Sequence, residues 1–161
     1  MKRLVHAVSE AFSKTDNDVM LLLENTAGTK NSMGGSFEDI SAILDALNSK
    51  RLGVCLDTCH MFGAGYDLRT SEALKGTLEK FDETIGLERI KLVHLNDSKG
   101  DLGSALDRHE HIGLGKLGLK GFRAILHNKT LRSVPMILET PIDSRRDDLG
   151  NLQVTRELAS Y

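Results

Sequence analysis

Four short apolar runs, each carrying a metal-capable side chain at its C-terminal end, limit most tightly how this chain can fold. They are VMLLLE (19–24), LGVCLD (52–57), IKLVHL (90–95) and VPMILE (134–139). Each is too short for a helix and nearly continuous, as expected of strands buried on both faces of a parallel sheet. Helical patterns lie between them. Ser36 is placed to cap a helix with Phe37, Ile40, Ile43, Leu44 and Leu47 on one face. Leu74, Leu78, Phe81 and Ile85 form a second stripe, with Gly86 placed to end it, and Phe122, Ile125 and Leu126 form a third. Residues 2–14 and 146–159 also read as helical.

Alternating strands and helices mean an α/β fold with a parallel sheet. No linker, low-complexity tract or charge block interrupts the pattern, so residues 1–161 read as one domain. The periodicity is compatible with a small open sheet and with half of an eight-stranded barrel, a full barrel needing about 250 residues.

Net charge is −2, so the chain offers no basic surface for binding nucleic acid by phosphate neutralisation alone. An enzyme that reaches a phosphodiester through bound cations remains compatible, since each divalent ion reverses the local sign. Two cysteines four residues apart are no disulfide framework and suit a reducing compartment. No apolar run reaches the roughly 18 residues of a membrane span, and no signal-peptide pattern is present, so the expected location is cytoplasmic.

The strand ends carry Glu24, Asp57, His94 and Glu139. In parallel α/β folds, active sites form at that edge, where the loops after the strands meet. Three carboxylates and an imidazole converging there would repel one another unless a cation sat among them, and this donor set suits Zn²⁺ or Mn²⁺. Strand alternation puts Cys55 on the face of Asp57, Leu92 on that of His94, and Ile137 on that of Glu139. Cys55 and Cys59 read as packing thiols. A second constellation comes from His60, three residues after Asp57, and from Asp107, His109 and His111, whose alternation would turn them to one side of an extended segment. His6 and His127 lie in helices away from the strand ends and read as ordinary histidines. The run Gly113-Leu114-Gly115-Lys116-Leu117-Gly118 matches G-x-G-x-x-G, but no predicted strand feeds it, so its glycines read as allowing close backbone approach rather than dinucleotide binding.

LENTAG (23–28), GVCLDTCHMFGAGYDLRT (53–70), VHLNDSKGDLGSALDRHEHIGLG (93–115) and ILET (137–140) together resemble the signature segments of the endonuclease IV family of apurinic/apyrimidinic (AP) endonucleases. The resemblance runs in order through nearly the whole chain. It implies a (β/α)₈ TIM barrel with up to three zinc ions, hydrolysing the phosphodiester 5′ to an abasic site in double-stranded DNA. By motif, Glu24 resembles a carboxylate bridging two zincs, and Asp57, His94 and Glu139 the remaining ligands of one of these. His60, Asp107 and His109 resemble the ligands of the third zinc, whereas His111 has no ligand role.

The resemblance extends to the C-terminal half of that barrel only, strands five to eight. It therefore implies a partial domain, completed by a missing N-terminal half or by self-association, that binds zinc but by itself cleaves abasic DNA poorly or not at all. Two other readings compete: a single-metal sugar isomerase or epimerase of the same barrel superfamily, and a non-catalytic remnant that keeps the site idle.

Overall fold

The computed structural model describes residues 1–160. In chain order the elements are α1 (Lys2–Ser13), β1 (Leu21–Glu24), α2 (Phe37–Leu47), β2 (Leu52–Asp57), α3 (Thr58–Gly63), α4 (Ser71–Thr84), β3 (Ile90–His94), β4 (Asp97–Ser98), β5 (His109–Glu110), α5 (Gly118–His127), β6 (Met136–Ile137) and α6 (Asp148–Ala159). Strands β1, β2, β3 and β6 form one parallel sheet in that order, and β4 pairs with β5 in a small antiparallel hairpin beyond the tip of β3. No helix among the described residues is long and apolar enough to cross a membrane.

Helices α2, α4 and α6 start where the sequence supplies caps. Ser36 accepts a hydrogen bond from the Asp39 amide, Thr70 from that of Ala73 and Asp147 from that of Gly150, each satisfying a free N–H of the first turn. Helix α4 stops where expected: Gly86 adopts φ 97°, a conformation costly for other residues, and its amide reaches back to the Phe81 carbonyl.

The predicted stripes become the core. Phe37, Ile40 and Leu44 of α2, Leu74, Leu78 and Phe81 of α4, and Phe122, Ile125 and Leu126 of α5 are buried against Val54, Leu56, Ile90 and Val93 of the sheet. Burial of a side chain of this kind contributes about 1.5–3 kcal/mol, so this face anchors the strands whose tips carry the candidate ligands.

Two expectations need correction. Within the parallel sheet only β2 is buried at every residue, lying between β1, paired along Leu52–Cys55, and β3, paired along Val54–Asp57. Strands β1 and β6 are edges of the sheet, and Ile137 on the face away from the helices is 47% exposed. The outer runs also form shorter strands than their apolar length suggests. Val19 and Met20 precede β1 and are exposed, and only Met136–Ile137 of 134–139 pairs as a strand with β3.

Candidate metal centre

The parallel register sets Asp57 directly beside His94, with Glu24 opposite Cys55 on the other side of β2 and Glu139 two residues past the last paired residue of β6. His94 Nδ1 consequently faces three carboxylates. Glu24 Oε1 and Glu139 Oε2 each lie 3.2 Å from it, and Asp57 Oδ2 lies 3.9 Å away. One donor atom from each of these four residues falls within 4.8 Å of every other. That spacing matches donors converging on a single ion.

Asp57 does a second job. Its Oδ1 accepts the His60 amide at 2.8 Å and so caps α3, which swings the His60 ring over the strand tips. The His60 Nδ1 lies 2.9 Å from the Asn25 carbonyl, and the His109 Nδ1 lies 3.0 Å from the Glu139 carbonyl. A carbonyl only accepts, so both Nδ1 atoms carry the proton and both Nε2 atoms present a lone pair. Both Nε2 atoms are buried and neither has a hydrogen-bond partner among the described residues. Asp107 Oδ1 stands between them, 3.1 Å from His60 Nε2 and 3.8 Å from His109 Nε2, while Asp57 Oδ2 lies 3.7 Å from His109 Nε2. At 3.1 Å the contact with His60 is close, yet when the ring is neutral no proton lies between the two electron-rich atoms. Buried lone pairs aimed at carboxylate oxygens are costly to leave without a counterpart. A metal cation would supply it, and an imidazole whose other nitrogen donates to a carbonyl is oriented as metal-bound histidines are.

Without a cation, protons relieve the same repulsion. Burial pushes the Asp57 carboxyl above its usual range despite the nearby histidines. Burial opposes the charged form of His60, but the Glu24, Asp57 and Asp107 carboxylates outweigh it and raise the imidazole to about 9. Glu24 is held below its usual value, chiefly by its hydrogen bond with His60. The Cys55 and Cys59 thiols go the other way. Burial, reinforced by carboxylates including Glu24 and Asp57, raises them to about 12 and about 11, so both stay protonated and pack as small apolar groups.

The structure thus brings Glu24, Asp57, His60, His94, Asp107, His109 and Glu139 to one end of the sheet. It separates His111 from them, a correction to the alternation expected over 107–111. Strand β5 ends at Glu110, so the two-residue period does not carry on to His111. That ring is fully buried elsewhere, between Asp143 Oδ1 at 3.1 Å and the Asn151 amide at 3.0 Å. His6 is exposed on α1, and His127 meets the Leu158 carbonyl.

Two asparagines at the site escaped the sequence reading. Asn25 bonds both the amide and the carbonyl of Asp57 through its side chain, extending the β1–β2 ladder past its last residue. Asn96 donates to Asp57 Oδ2 at 2.6 Å and to Glu139 Oε2 at 3.4 Å, and its Oδ1 accepts the Glu139 amide at 2.8 Å. The only signal for either was an asparagine one or two residues beyond a strand-end ligand. Asn96→Ala removes all three contacts and frees Glu139 on the edge strand. Titration calorimetry is expected to show a 10–100-fold loss of divalent-metal affinity, the usual effect of removing a group that orients ligands.

The family model described as Xylose isomerase-like TIM barrel matches residues 1–160. The chain belongs to this family. Within the Xylose isomerase-like TIM barrel family, it is similar to the probable endonuclease 4 of Methanoculleus marisnigri, at 55% identity over 160 residues, covering 98% of this chain and 57% of the relative. It is also similar to an apurinic-apyrimidinic endonuclease of Caenorhabditis elegans, at 46% identity over 142 residues, covering 88% of this chain and 36% of that protein. The crystal structure of endonuclease IV from Thermus thermophilus superposes with a TM-score of 0.84 at 38% identity, over 98% of this chain and 56% of that one. The chain therefore spans little more than half the length of the endonuclease 4 relatives it matches, while sharing the parallel α/β architecture of the Xylose isomerase-like TIM barrel family.

Proposed function

We propose that the sheet edge holds two divalent cations, zinc by preference, and serves hydrolysis of the phosphodiester 5′ to an abasic site in double-stranded DNA. Glu24, Asp57, His94 and Glu139 would hold one cation, and His60, Asp107 and His109 the second. The observation that carries the reading is the pair of buried, unpartnered Nε2 atoms of His60 and His109 beside a complete four-residue donor group. The names of the similar proteins support the substrate.

Bound zinc would supply positive charge, which offsets the anionic phosphate oxygens and makes water acidic enough to act as a nucleophile near neutral pH. The chain's own residues do the rest. Asn25 and Glu139 present carbonyls that fix the His60 and His109 tautomers, and Asn96 keeps Asp57 and Glu139 turned inward. With a net charge of −2, the protein depends on those cations to attract a polyanion.

The test is zinc content by mass spectrometry together with incision of a duplex bearing one abasic site. The expected result is about two ions per chain and slow incision on the 5′ side that chelation abolishes. Slow turnover is expected because the chain spans only 57% of the length of the endonuclease 4 relative it matches. A zinc-free protein that still incises the duplex would overturn the reading.

A second reading has a specific observation behind it. The four-residue group by itself resembles the single-ion site of a sugar isomerase, and the family model carries that description. One bound ion, with ketose–aldose interconversion and no incision, would favour it.

A further inference from the structure

The glycine-rich run 113–118 has found a carboxylate inside the protein. Asp97 is completely buried. Its Oδ2 accepts the amides of Gly113 at 3.0 Å, Gly115 at 2.9 Å and Gly118 at 3.3 Å. Its Oδ1 accepts those of Leu117 at 2.9 Å and Ser98 at 2.8 Å. The Lys116 amide bonds the neighbouring Ser98 carbonyl at 2.8 Å. The loop closes on Asp97 as backbone nests close on phosphate, so these amides are not free for an external anion. The glycines are required by this contact. A Cβ at Gly115 would stand 2.4 Å from the Ser98 carbonyl and 2.5 Å from Asp97 Oδ1, and Gly113 and Gly118 have φ of 80° and 66°.

Asp97 is also the root of the excursion that carries two candidate ligands. Strand β4 pairs Asp97 with Glu110 and Ser98 with His109, and the Lys99 amide bonds the Arg108 carbonyl. Two-residue strands contribute few ladder bonds, too few to fix a register alone. The five amides gathered by Asp97 tie both ends of the excursion, at 97–98 and 113–118, to one buried point. We infer that Asp97 is a positioning residue: its carboxylate holds the loop carrying Asp107 and His109 in register with His60. The inference rests on the two-cation reading above and names what keeps the second site assembled.

Asp97→Asn keeps the shape of the side chain but turns one of its oxygens into a donor. Either orientation sets that NH₂ against at least two backbone amides. Zinc titration of the variant should show the ion of His60, Asp107 and His109 bound 10–100-fold more weakly, while the ion of the four-residue group changes by less than about threefold, since Glu24, Asp57 and His94 end main-sheet strands and Asn96 holds Glu139. Equal weakening of both ions, or of neither, overturns the inference. A wild-type chain that binds only one ion overturns the two-cation reading instead.

Should the variant not fold, the wild-type protein carries the test. Coupling between two sites is reciprocal. Zinc at the second site should therefore slow hydrogen exchange at the Gly113, Gly115 and Leu117 amides, and His109→Gln should remove that gain. Exchange at these amides unaffected by zinc overturns the inference.

Discussion

Asp57→Asn is expected to cost the protein both cations, where Asp107→Asn costs only one. Asp57 is fully buried and its two oxygens face different ways. Oδ1 accepts the His60 amide at 2.8 Å, and Oδ2 looks across at His94 Nδ1 (3.9 Å) and His109 Nε2 (3.7 Å) while taking the Asn96 amide at 2.6 Å. Asparagine keeps the oxygen that caps α3, so the first turn survives; losing such a cap altogether would cost about 1 kcal/mol. Its NH₂ then points at the Asn96 NH₂, donor against donor, and presents hydrogens where a cation needs a lone pair. Zinc affinity is expected to fall by more than about 100-fold at both positions, beyond the loss from disturbing an orienting neighbour. Equilibrium dialysis with circular dichroism as the folding control decides it. A folded Asp57→Asn protein that keeps either ion at wild-type affinity would show that Asp57 is not shared.

The site is more legible in the sequence than its internal logic. Each strand-end ligand followed an apolar run whose burial is a simple consequence of a parallel sheet, so Glu24, Asp57, His94 and Glu139 could be read as neighbours before any coordinates. The loop ligands were visible as residue types that rarely cluster without cause. The orienting groups had no such signal. Asn25 and Asn96 follow strands, where asparagine is an ordinary turn residue, and the chemistry that distinguishes them is the direction of one amide.

Asp97 was hidden for a related reason. Four of its five partners lie 16 to 21 residues ahead, and all are backbone amides, which no side-chain pattern records. Apolar length predicts longer strands at β1 and β6 than form, because a ladder also needs a partner at each residue. His111 departs from the alternation of 107–111 because a period of two holds only while the backbone stays extended.

Zinc affinity at the His60 position should rise about tenfold for each pH unit from 7 to 9 and then level off. The imidazole is held protonated to about 9 because its carboxylate neighbours outweigh burial, and its Nε2 binds a cation only after losing that proton. Below about 9 every ion bound there displaces one proton, which fixes the slope. The stability of the metal-free chain must move in the opposite direction. His60 has a folded pKa above the roughly 6.5 of an unfolded chain, so its stabilising contribution is fully present below about 6.5 and is lost as pH rises through about 9. Asp57, also raised by burial, shifts in the same sense from a lower starting point, its contribution declining above the unfolded carboxyl value. Raising the pH therefore loosens the empty site while it strengthens the loaded one. Thermal melts with and without zinc should diverge steadily from pH 7 to 9. His60→Gln, which loses this ligand and has no such proton to release, should narrow the spacing between the two melts and flatten its dependence on pH. Parallel wild-type curves over that range would mean that carboxylate attraction does not overcome burial at His60, and that the neutral ring already waits for its ion at pH 7.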